Sequence, residues 1–284
     1  MQFKNSKKLI VGAHVSISEG LENAPKIGKE LGLDAIQIFT KNQRQWVSKA
    51  LEKKVIDAFK NNMKKYNIIT VAHASYLINL AAHDESLWLK SKTSFLEEVN
   101  RCSQLDIPYL IVHPGSHNGF GEEYGIEKIA EAINETIDKS EHTAILLETT
   151  AGQGTNIGYK FEHLENIILK IKNKEHVGVC LDTCHIYAAG YDIANNYKNV
   201  MKEFDATIGL NKLKVIHLND SDKELGSKRD RHAHIGKGKI GSKGFVPILN
   251  DERLESVPFI LETPQGEEEY DIDLQEIKKI IEAY

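Results

Sequence analysis

The sequence predicts an α/β protein of the (β/α)8 TIM-barrel class, with a single domain over residues 1–284. Three observations predict this fold. The length of 284 residues is close to the roughly 250 that such a barrel needs. Eight short runs rich in Ile, Val and Leu recur along the chain, and segments with helical spacing separate them. An open, doubly wound sheet is the alternative that the same pattern permits.

The eight apolar runs are interpreted as parallel strands, because strands that helices cover on both faces are apolar throughout. They cover residues 9–15, 35–39, 68–72, 109–112, 144–147, 177–181, 214–218 and 258–261. Each run has the length of a strand and is followed by a segment long enough to form a helix. We therefore expect strand and helix to alternate along the whole chain.

Several segments between the runs carry apolar residues three or four positions apart, the spacing of one face of a helix. The stripes consist of Leu51, Val55, Ile56, Phe59 and Met63; Phe95, Val99 and Cys102; Ile126, Ile129, Ile133 and Ile137; Phe161, Leu164, Ile168 and Ile171; and Leu274, Ile277 and Ile281. We interpret all of them as helix faces that pack on the barrel.

The composition indicates a globular protein without a membrane partner. Hydrophobic residues make up 41% and charged residues 27%, and no apolar stretch is long enough to span a bilayer. Residues 1–8 do not resemble a targeting segment. Cys102, Cys180 and Cys184 are too few, and odd in number, for a disulfide framework. We therefore expect a reducing compartment, the cytoplasm.

The net charge of −5 argues weakly against a nucleic-acid partner, since such proteins are usually basic. The net charge argues less against such a partner if some of the carboxylates bind metal ions. Three divalent cations would add +6, and −5 + 6 gives about +1 for the loaded protein.

Side chains that can bind metal stand at the ends of the third to the eighth run. They are His73, His113, Glu148, Asp182 with the nearby His185, His217 and Glu262. In a barrel, the C-terminal ends of all strands meet on the face that carries the active site. A single His or Glu there is more often a hydrogen-bonded structural residue. Several carboxylates buried side by side need cations, however, so the pattern predicts a metal centre.

The mixture of imidazole and carboxylate is typical of Zn²⁺ or Mn²⁺ sites. Cys180 and Cys184 lack the spacing of a structural zinc site, and both are interpreted as packing residues. Asp230 and His232, one residue apart in the loop after the seventh run, could complete a third metal site with His185. The alternative for this pair is a solvated, charged loop.

The number of metal ions separates two reaction classes. Two ions about 4 Å apart can activate water and stabilise an in-line displacement at phosphorus. Such a pair needs a bridging carboxylate, which we expect to be Glu148. A third ion can stabilise charge on the leaving oxygen. One or two ions suit sugar isomerisation, and three suit phosphodiester hydrolysis.

Two loops expected on the same face favour a nucleic-acid partner. Residues 40–46 combine cationic, amide and aromatic side chains, with Arg44 among them. Residues 74–80 carry Tyr76 and Leu77, and apolar wedges of this kind can enter and kink a duplex. The alternative for Tyr76 and Leu77 is core packing at the start of a helix.

The loop after the seventh run is rich in basic residues and glycine. The basic residues are Lys223, Lys228, Arg229, Arg231, Lys237, Lys239 and Lys243, and the glycines are Gly236, Gly238, Gly241 and Gly244. Backbone amides at such glycines could approach phosphates. A solvated surface is the alternative.

Together these motifs resemble the endonuclease IV family of abasic-site endonucleases over nearly the whole chain. The segments that carry the resemblance are Gly12-Ala13-His14-Val15-Ser16, Phe39-Thr40-Lys41-Asn42-Gln43-Arg44-Gln45-Trp46, His73-Ala74-Ser75-Tyr76-Leu77, His113-Pro114-Gly115-Ser116-His117, Leu147-Glu148-Thr149-Thr150-Ala151-Gly152-Gln153-Gly154, Cys180-Leu181-Asp182-Thr183-Cys184-His185, His217-Leu218-Asn219-Asp220-Ser221, Gly226-Ser227-Lys228-Arg229-Asp230-Arg231-His232 and Leu261-Glu262-Thr263-Pro264. No ligand position departs from the family's pattern.

The resemblance implies a zinc-dependent deoxyribonuclease IV that holds three Zn²⁺ per chain, with Mn²⁺ as an alternative at one site. It assigns His73, His113 and Glu148 to the first ion, Glu148, Asp182, His217 and Glu262 to the second, and His185, Asp230 and His232 to the third. Glu148 is then the catalytic residue that bridges the first two ions, which share the attacking hydroxide.

The implied reaction is DNA repair by hydrolysis of the phosphodiester 5′ to an abasic site in duplex DNA, leaving a 3′-hydroxyl and a 5′-deoxyribose phosphate. Members of the family also remove 3′ blocking groups. Arg44, Tyr76 and Leu77 match residues that enter the duplex while the abasic nucleotide flips out, which its missing stacking makes easier. We expect a monomer, with His14 and His117 in supporting or structural roles.

Two other functions compete with this one. A divalent-metal sugar isomerase or epimerase on the same barrel would use fewer metal ions and would not need Asp230, His232 or the two loops. A DNA-damage binder that recognises abasic sites without cutting would not need a hydrolytic metal cluster.

Overall fold

The barrel strands position six of the nine candidate ligands, which end a strand or directly follow one. A computed structural model of the chain describes residues 9–137 and 142–283. Within these ranges, eight parallel strands close into a barrel. They are β1 (Val11–His14), β2 (Ala35–Phe39), β3 (Ile69–His73), β4 (Tyr109–Val112), β5 (Ala144–Glu148), β6 (Val177–Asp182), β7 (Leu213–His217) and β8 (Phe259–Leu261).

Each barrel strand is hydrogen-bonded to its neighbours in the sequence, and β8 pairs with β1. In this closing pair, Val11 stands opposite Phe259 and Ala13 opposite Leu261. The predicted TIM barrel is therefore confirmed, and the open sheet is excluded. The strands begin and end within two residues of the predicted runs.

Helices cover the outside of the barrel, as the apolar stripes predict. In the described ranges they are α1 (Ala24–Glu30), α2 (Lys53–Tyr66), α3 (Glu85–Gln104), α4 (Glu122–Ile137), α5 (Phe161–Lys170), α6 (Thr183–Ala189), α7 (Ile193–Thr207), α8 (Gly241–Leu249) and α9 (Tyr270–Ala283). Two helices, α6 and α7, follow β6. None of the described helices combines the length and the apolar character that crossing a bilayer requires.

The interior of the barrel is filled by a layer of apolar side chains. The layer consists of Ala35, Val71, Ile111, Leu146, Cys180, Val215 and Ile260, all buried. On β1 the neighbouring position is Gly12, where a Cβ atom would lie only 2.3 Å from the carbonyl oxygen of Ala35. Cys180 is thus a packing residue, as expected. The polar side chains at the C-terminal ends of the strands therefore lie above an apolar layer.

Two short antiparallel ladders organise loops at the C-terminal ends of the strands. Gly115–Ser116 pairs with Asn156–Ile157, and Asp220–Ser221 pairs with His232–Ala233. The second ladder folds the long loop after β7 back on itself. His232 is thereby returned to the barrel mouth.

Candidate metal centre

The nine residues predicted to bind metal meet at the C-terminal mouth of the barrel. His73, Glu148, Asp182 and His217 are the last residues of β3, β5, β6 and β7. His113 and Glu262 directly follow β4 and β8. Among the described residues, four groups have ligand atoms within 4.8 Å of one another, and three of them consist of predicted ligands alone: His73, His113 and Glu148; Glu148, Asp182, His217 and Glu262; and His185, Asp230 and His232.

Glu148 joins the first two groups through its two carboxylate oxygens. Oε2 lies 3.0 Å from Nε2 of His73 and 3.2 Å from Nε2 of His113. Oε1 lies 3.2 Å from Nδ1 of His217 and 3.2 Å from Nδ1 of His185. The side chain is fully buried. Its position between the groups is the one that a bridging carboxylate would take.

His217 is the centre of the second group. Its Nδ1 lies 3.2 Å from Oε2 of Glu262 and 3.8 Å from Oδ2 of Asp182, as well as close to Glu148. Two of these three carboxylate residues, Glu148 and Asp182, are fully buried. Burying so much negative charge around one imidazole is unfavourable unless cations balance it.

The third group provides a test of whether a cation fits. Nε2 of His185 lies 3.1 Å from Asp230, and Nε2 of His232 lies 3.4 Å from the same carboxylate. Both nitrogens are buried, yet within the described part of the chain neither has a hydrogen-bond partner with acceptable geometry. Buried polar atoms are rarely left in this state. Two unpaired ring nitrogens beside one carboxylate match the donor set of a zinc site.

Cys184 also lies near this third group, with Asp182 and His232. Burial raises the pKa of its thiol to about 12. The side chain is fully buried, and its interpretation as a packing residue stays a prediction.

The charges within the cluster balance one another strongly. Burial alone would raise the pKa of Glu148, but His113 and His217 outweigh it and hold the pKa well below its usual range. Burial likewise opposes protonation of His185, but Asp182 and Asp230 raise its pKa well above the usual value. The carboxylates thus need positive charge beside them, which either protons or metal ions can supply.

Two buried amides orient the ligands, and sequence reasoning missed both. The amide of Gln37 donates to Oε1 of Glu262 (2.6 Å), and its oxygen lies 2.7 Å from Nε2 of His217. Asn219 donates to Oδ2 of Asp182 (2.8 Å) and accepts from the backbone N–H of Glu262. A glutamine inside an apolar strand was the signal for the first.

His14 supports this network indirectly, through its contact with Gln37. Its Nδ1 lies 3.1 Å from the Gln37 amide nitrogen, and burial lowers its pKa to about 4, so the ring is neutral. His117 has a structural role instead, because its Nδ1 accepts from the backbone N–H groups of Gly119 and Gly121. These arrangements agree with the supporting and structural roles expected of the two histidines.

Comparison with known proteins identifies the family. Residues 25–280 match a family model described as a xylose isomerase-like TIM barrel. The chain is 49% identical over 262 residues to "Probable endonuclease 4" of Chloroflexus aurantiacus, covering 90% of this chain and 92% of that protein. The crystal structure of endonuclease IV from Thermus thermophilus has a TM-score of 0.86 at 38% identity, covering 96% of this chain and 99% of that one. The chain belongs to the endonuclease IV family.

The barrel itself is shared more widely than the endonuclease IV family. A D-tagatose 3-epimerase-like protein has a TM-score of 0.72 but only 19% identity, covering 97% of this chain and 99% of that one. Such a likeness shows the fold alone, so the site has to separate the functions.

Asp220 organises the basic loop of this endonuclease IV family member. Its buried carboxylate accepts five backbone N–H groups, at 2.7–3.1 Å. The donors are Ser221, Gly236, Gly238, Ile240 and Gly241. The expectation that these glycine amides are available to phosphates is therefore wrong for three of the four, because they already bind Asp220. The fourth, Gly244, lies inside α8.

The three residues expected to contact DNA lie on the mouth side of the barrel. Arg44 is exposed and Leu77 is half-buried. Tyr76 is 57% exposed, and its ring centre lies 5.2 Å from that of His73 and 5.6 Å from that of His113. Core packing at a helix start, the alternative for Tyr76, is thus excluded. The next helix begins only at residue 85.

Lys41 differs from the expectation that residues 40–46 present their cationic groups on the active face. Its ammonium is buried beneath the loop and donates to Oγ of Ser94 (2.8 Å) and to the carbonyl of Trp46 (3.0 Å). The cause is the acidic, polar face of α3, which lies directly below. Arg44 keeps its exposed position.

The mouth contains an open cavity of about 430 Å³. His113, His185, Asp230, His232 and Glu262 line it together with Tyr76. A ligand in this cavity would contact the candidate metal ligands and the exposed tyrosine at once.

Proposed function

We propose that the chain is a DNA-repair endonuclease that hydrolyses the phosphodiester 5′ to abasic sites in duplex DNA. Membership of the endonuclease IV family supports a nuclease of the deoxyribonuclease IV type. The products would be a 3′-hydroxyl and a 5′-deoxyribose phosphate, and the enzyme would also remove 3′ blocking groups. The observation that carries the proposal is the set of three ligand groups around Glu148 at the barrel mouth.

Three groups of ligands favour phosphodiester hydrolysis over sugar isomerisation. The first two share Glu148, and the third, His185 with Asp230 and His232, has its own carboxylate and its own unpaired nitrogens. We propose that they hold three Zn²⁺ per chain, with Mn²⁺ as an alternative at one site. An isomerase would have no need for the third group.

The residues of the centre have separate tasks in this proposal. When bound, the metal ions would acidify a water molecule and offset the negative charge that develops at the phosphate. Glu148 would contribute to holding both of the first two ions, since it belongs to both groups of ligands. Gln37 and Asn219 keep His217 and Asp182 in the orientation needed for binding. The apolar layer below keeps water from entering through the barrel.

The substrate would approach from the exposed side of the mouth. Arg44, Tyr76 and Leu77 would enter the duplex at the lesion, since abasic nucleotides lack the stacking that resists flipping. The flipped residue would then reach the cavity next to His113 and Asp230. We propose that residues 1–284 act as one domain and as a monomer.

The products of a defined substrate test this proposal. A duplex with one natural abasic site, labelled at both ends of the damaged strand, is incubated with zinc-loaded protein. We expect new termini that are a 3′-hydroxyl and a 5′-deoxyribose phosphate. A 3′ terminus with an unsaturated sugar would indicate a lyase and would contradict the proposal.

A further inference from the structure

The buried polar face of α3 lies beneath the two loops that carry the proposed DNA contacts. We call residues 40–49, after β2, loop 2, and residues 74–79, after β3, loop 3. Loop 2 contains Arg44, and loop 3 contains Tyr76 and Leu77. Neither loop contains a helix or a strand. Each loop has a backbone turn bond, from Gln45 to Asn42 and from Ile78 to Ser75, and α3 supplies most of the side-chain bonds that hold the two loops.

Loop 2 is held to α3 at several points. The guanidinium of Arg101 donates to the carbonyls of Thr40 and Lys49, which lie at the two ends of the loop. The ammonium of Lys41 is buried and donates to Oγ of Ser94 at 2.8 Å and to the Trp46 carbonyl at 3.0 Å. Loop 2 is thus held in place by hydrogen bonds from two cationic side chains, those of Lys41 and Arg101.

Loop 3 rests on the same face of the same helix. Oε1 of Glu98 accepts the backbone N–H of Ser75 at 3.2 Å, and Oγ of Ser91 accepts that of Asn79 at 3.1 Å. These two bonds satisfy buried backbone donors at the beginning and the end of loop 3. Tyr76 and Leu77 lie between them.

Glu98 is the residue of α3 that contacts both loops. The same oxygen that accepts from Ser75 lies 3.7 Å from Nζ of Lys41. Both side chains of this ion pair are almost fully buried. A direct bond between the loops lies close by, because Oγ of Ser75 donates to the carbonyl of Gln43 at 2.6 Å. Gln43 immediately precedes Arg44.

We propose that Glu98 is a positioning residue that couples loop 2 to loop 3, so that Arg44, Tyr76 and Leu77 meet DNA as one preformed unit. A buried ion pair is a poor source of stability, and an apolar pair would pack as well. The ammonium of Lys41 and the carboxylate of Glu98 instead form hydrogen bonds with backbone groups of loop 2 and loop 3. Preformed loops lose less conformational entropy on binding, which strengthens binding without changing the chemical step.

The coupling is tested first in the free protein, by hydrogen exchange followed by mass spectrometry. The variant Glu98→Gln keeps the shape of the side chain and removes its charge. Glu97→Gln is the matched control, because Glu97 contacts loop 2 alone, through Ser48 and Lys41. We expect faster exchange in both loops for Glu98→Gln and in loop 2 only for Glu97→Gln. A change confined to one loop, or absent, in Glu98→Gln would overturn the proposal.

Kinetics at pH 8 give the second readout, and this part rests on the proposed function. For a duplex with a tetrahydrofuran abasic analogue, Glu98→Gln should raise KM by about tenfold and leave kcat within about threefold, because binding shared by substrate and transition state affects KM alone. Zinc content should equal that of the wild type. An unchanged KM despite looser loops, or a loss of zinc, would overturn the positioning role.

The variant Ser75→Ala keeps the proposal testable if Glu98→Gln does not fold. It removes the bond from Ser75 to Gln43 and the one that Ser75 Oγ accepts from the backbone N–H of Leu77, and it leaves every charge in place. We expect the same rise in KM. An unchanged KM in Ser75→Ala would count against the coupling. If the wild-type protein neither binds nor cuts the abasic duplex, the proposed function fails. The exchange experiment still decides whether the two loops are coupled.

Discussion

Glu148 Oε1 and His217 Nδ1 lie 3.2 Å apart at the centre of the barrel mouth, while the other oxygen of the same carboxylate faces His73 at 3.0 Å. One side chain thus belongs to two groups of candidate metal ligands. The mouth is organised around this shared carboxylate, which comes from the end of β5.

Replacing Glu148 with Gln should therefore disable both groups. An amide offers only one oxygen and no charge, so it cannot hold two cations. Since even outer-shell changes at metal sites cost tenfold to hundredfold, we expect kcat to fall by more than about a hundredfold. Metal analysis should show lower zinc content. The control Glu127→Gln, on the surface of α4, should behave like the wild type; normal turnover in Glu148→Gln would refute the bridging role.

Asp220→Ala should release the loop that carries Asp230 and His232. The change leaves five backbone N–H groups without their acceptor, and we expect a loss of at least about 3 kcal/mol in the free energy of unfolding. Zinc content should fall from three ions to two. Urea unfolding and metal analysis measure both effects.

The exposed Asp222 offers the matched control for this loop. Asp222→Ala removes an exposed carboxylate that pairs with Lys223 at the surface. We expect unchanged stability and zinc content. If Asp220→Ala kept all three ions, the loop would not depend on the Asp220 carboxylate for its shape.

Tyr76→Ala should affect DNA binding without affecting folding. The side chain is 57% exposed, so we expect stability to change by no more than about 0.5 kcal/mol. Loss of an aromatic contact to a base should weaken binding of the abasic duplex by about tenfold. Fluorescence anisotropy measures the affinity. Leu89→Ala, which truncates an exposed residue of α3, is the control, and equal affinities for the two variants would argue against Tyr76 as a DNA contact.

Glu98 should make a pH-dependent contribution to stability. Burial raises its pKa to about 7 from 4.5, although Lys41 and the Ser75 amide act in the opposite direction. The folded protein therefore holds this proton more tightly than the unfolded chain. The contribution is fully present below pH 4.5 and is lost as the pH rises through 7.

Urea unfolding of the wild type and Glu98→Gln between pH 4.5 and 7.5 measures this contribution, because the other groups titrate in both proteins. The stability of the wild type relative to Glu98→Gln should fall by roughly 3 kcal/mol across the window. A difference that stays constant or grows with pH would contradict the assignment.

The strands, and the convergence of the candidate ligands, could be predicted because in a barrel the position of a residue along a strand determines on which face it lies. His73, Glu148, Asp182 and His217 each end a strand, and the closure of the barrel brings strand ends together whatever their separation in sequence. The observed strands begin and end within two residues of the predicted apolar runs. The spacing of apolar residues in the sequence indicates the strands and helices, because packing in the core requires apolar side chains at these positions.

Residues whose partners come from another loop could not be predicted. The Lys41 ammonium turns inward because α3 presents Ser94 and Glu98 below it, and nothing in residues 40–46 indicates that helix. Asp220 in turn uses glycine amides that lie 16 to 21 positions further along the chain. Such contacts depend on how the loops fold back onto the barrel, and no periodic pattern in the sequence indicates this.

The proposed activity is tested most directly by incision of a duplex that carries a single tetrahydrofuran abasic analogue, with and without prior chelation by phenanthroline. The analogue cannot undergo β-elimination, so a lyase cannot cut it. We expect incision on the 5′ side of the analogue, abolished by the chelator and restored by added zinc. Absence of incision by folded, zinc-loaded protein, or incision that survives complete metal removal, would contradict a metal-dependent abasic-site endonuclease.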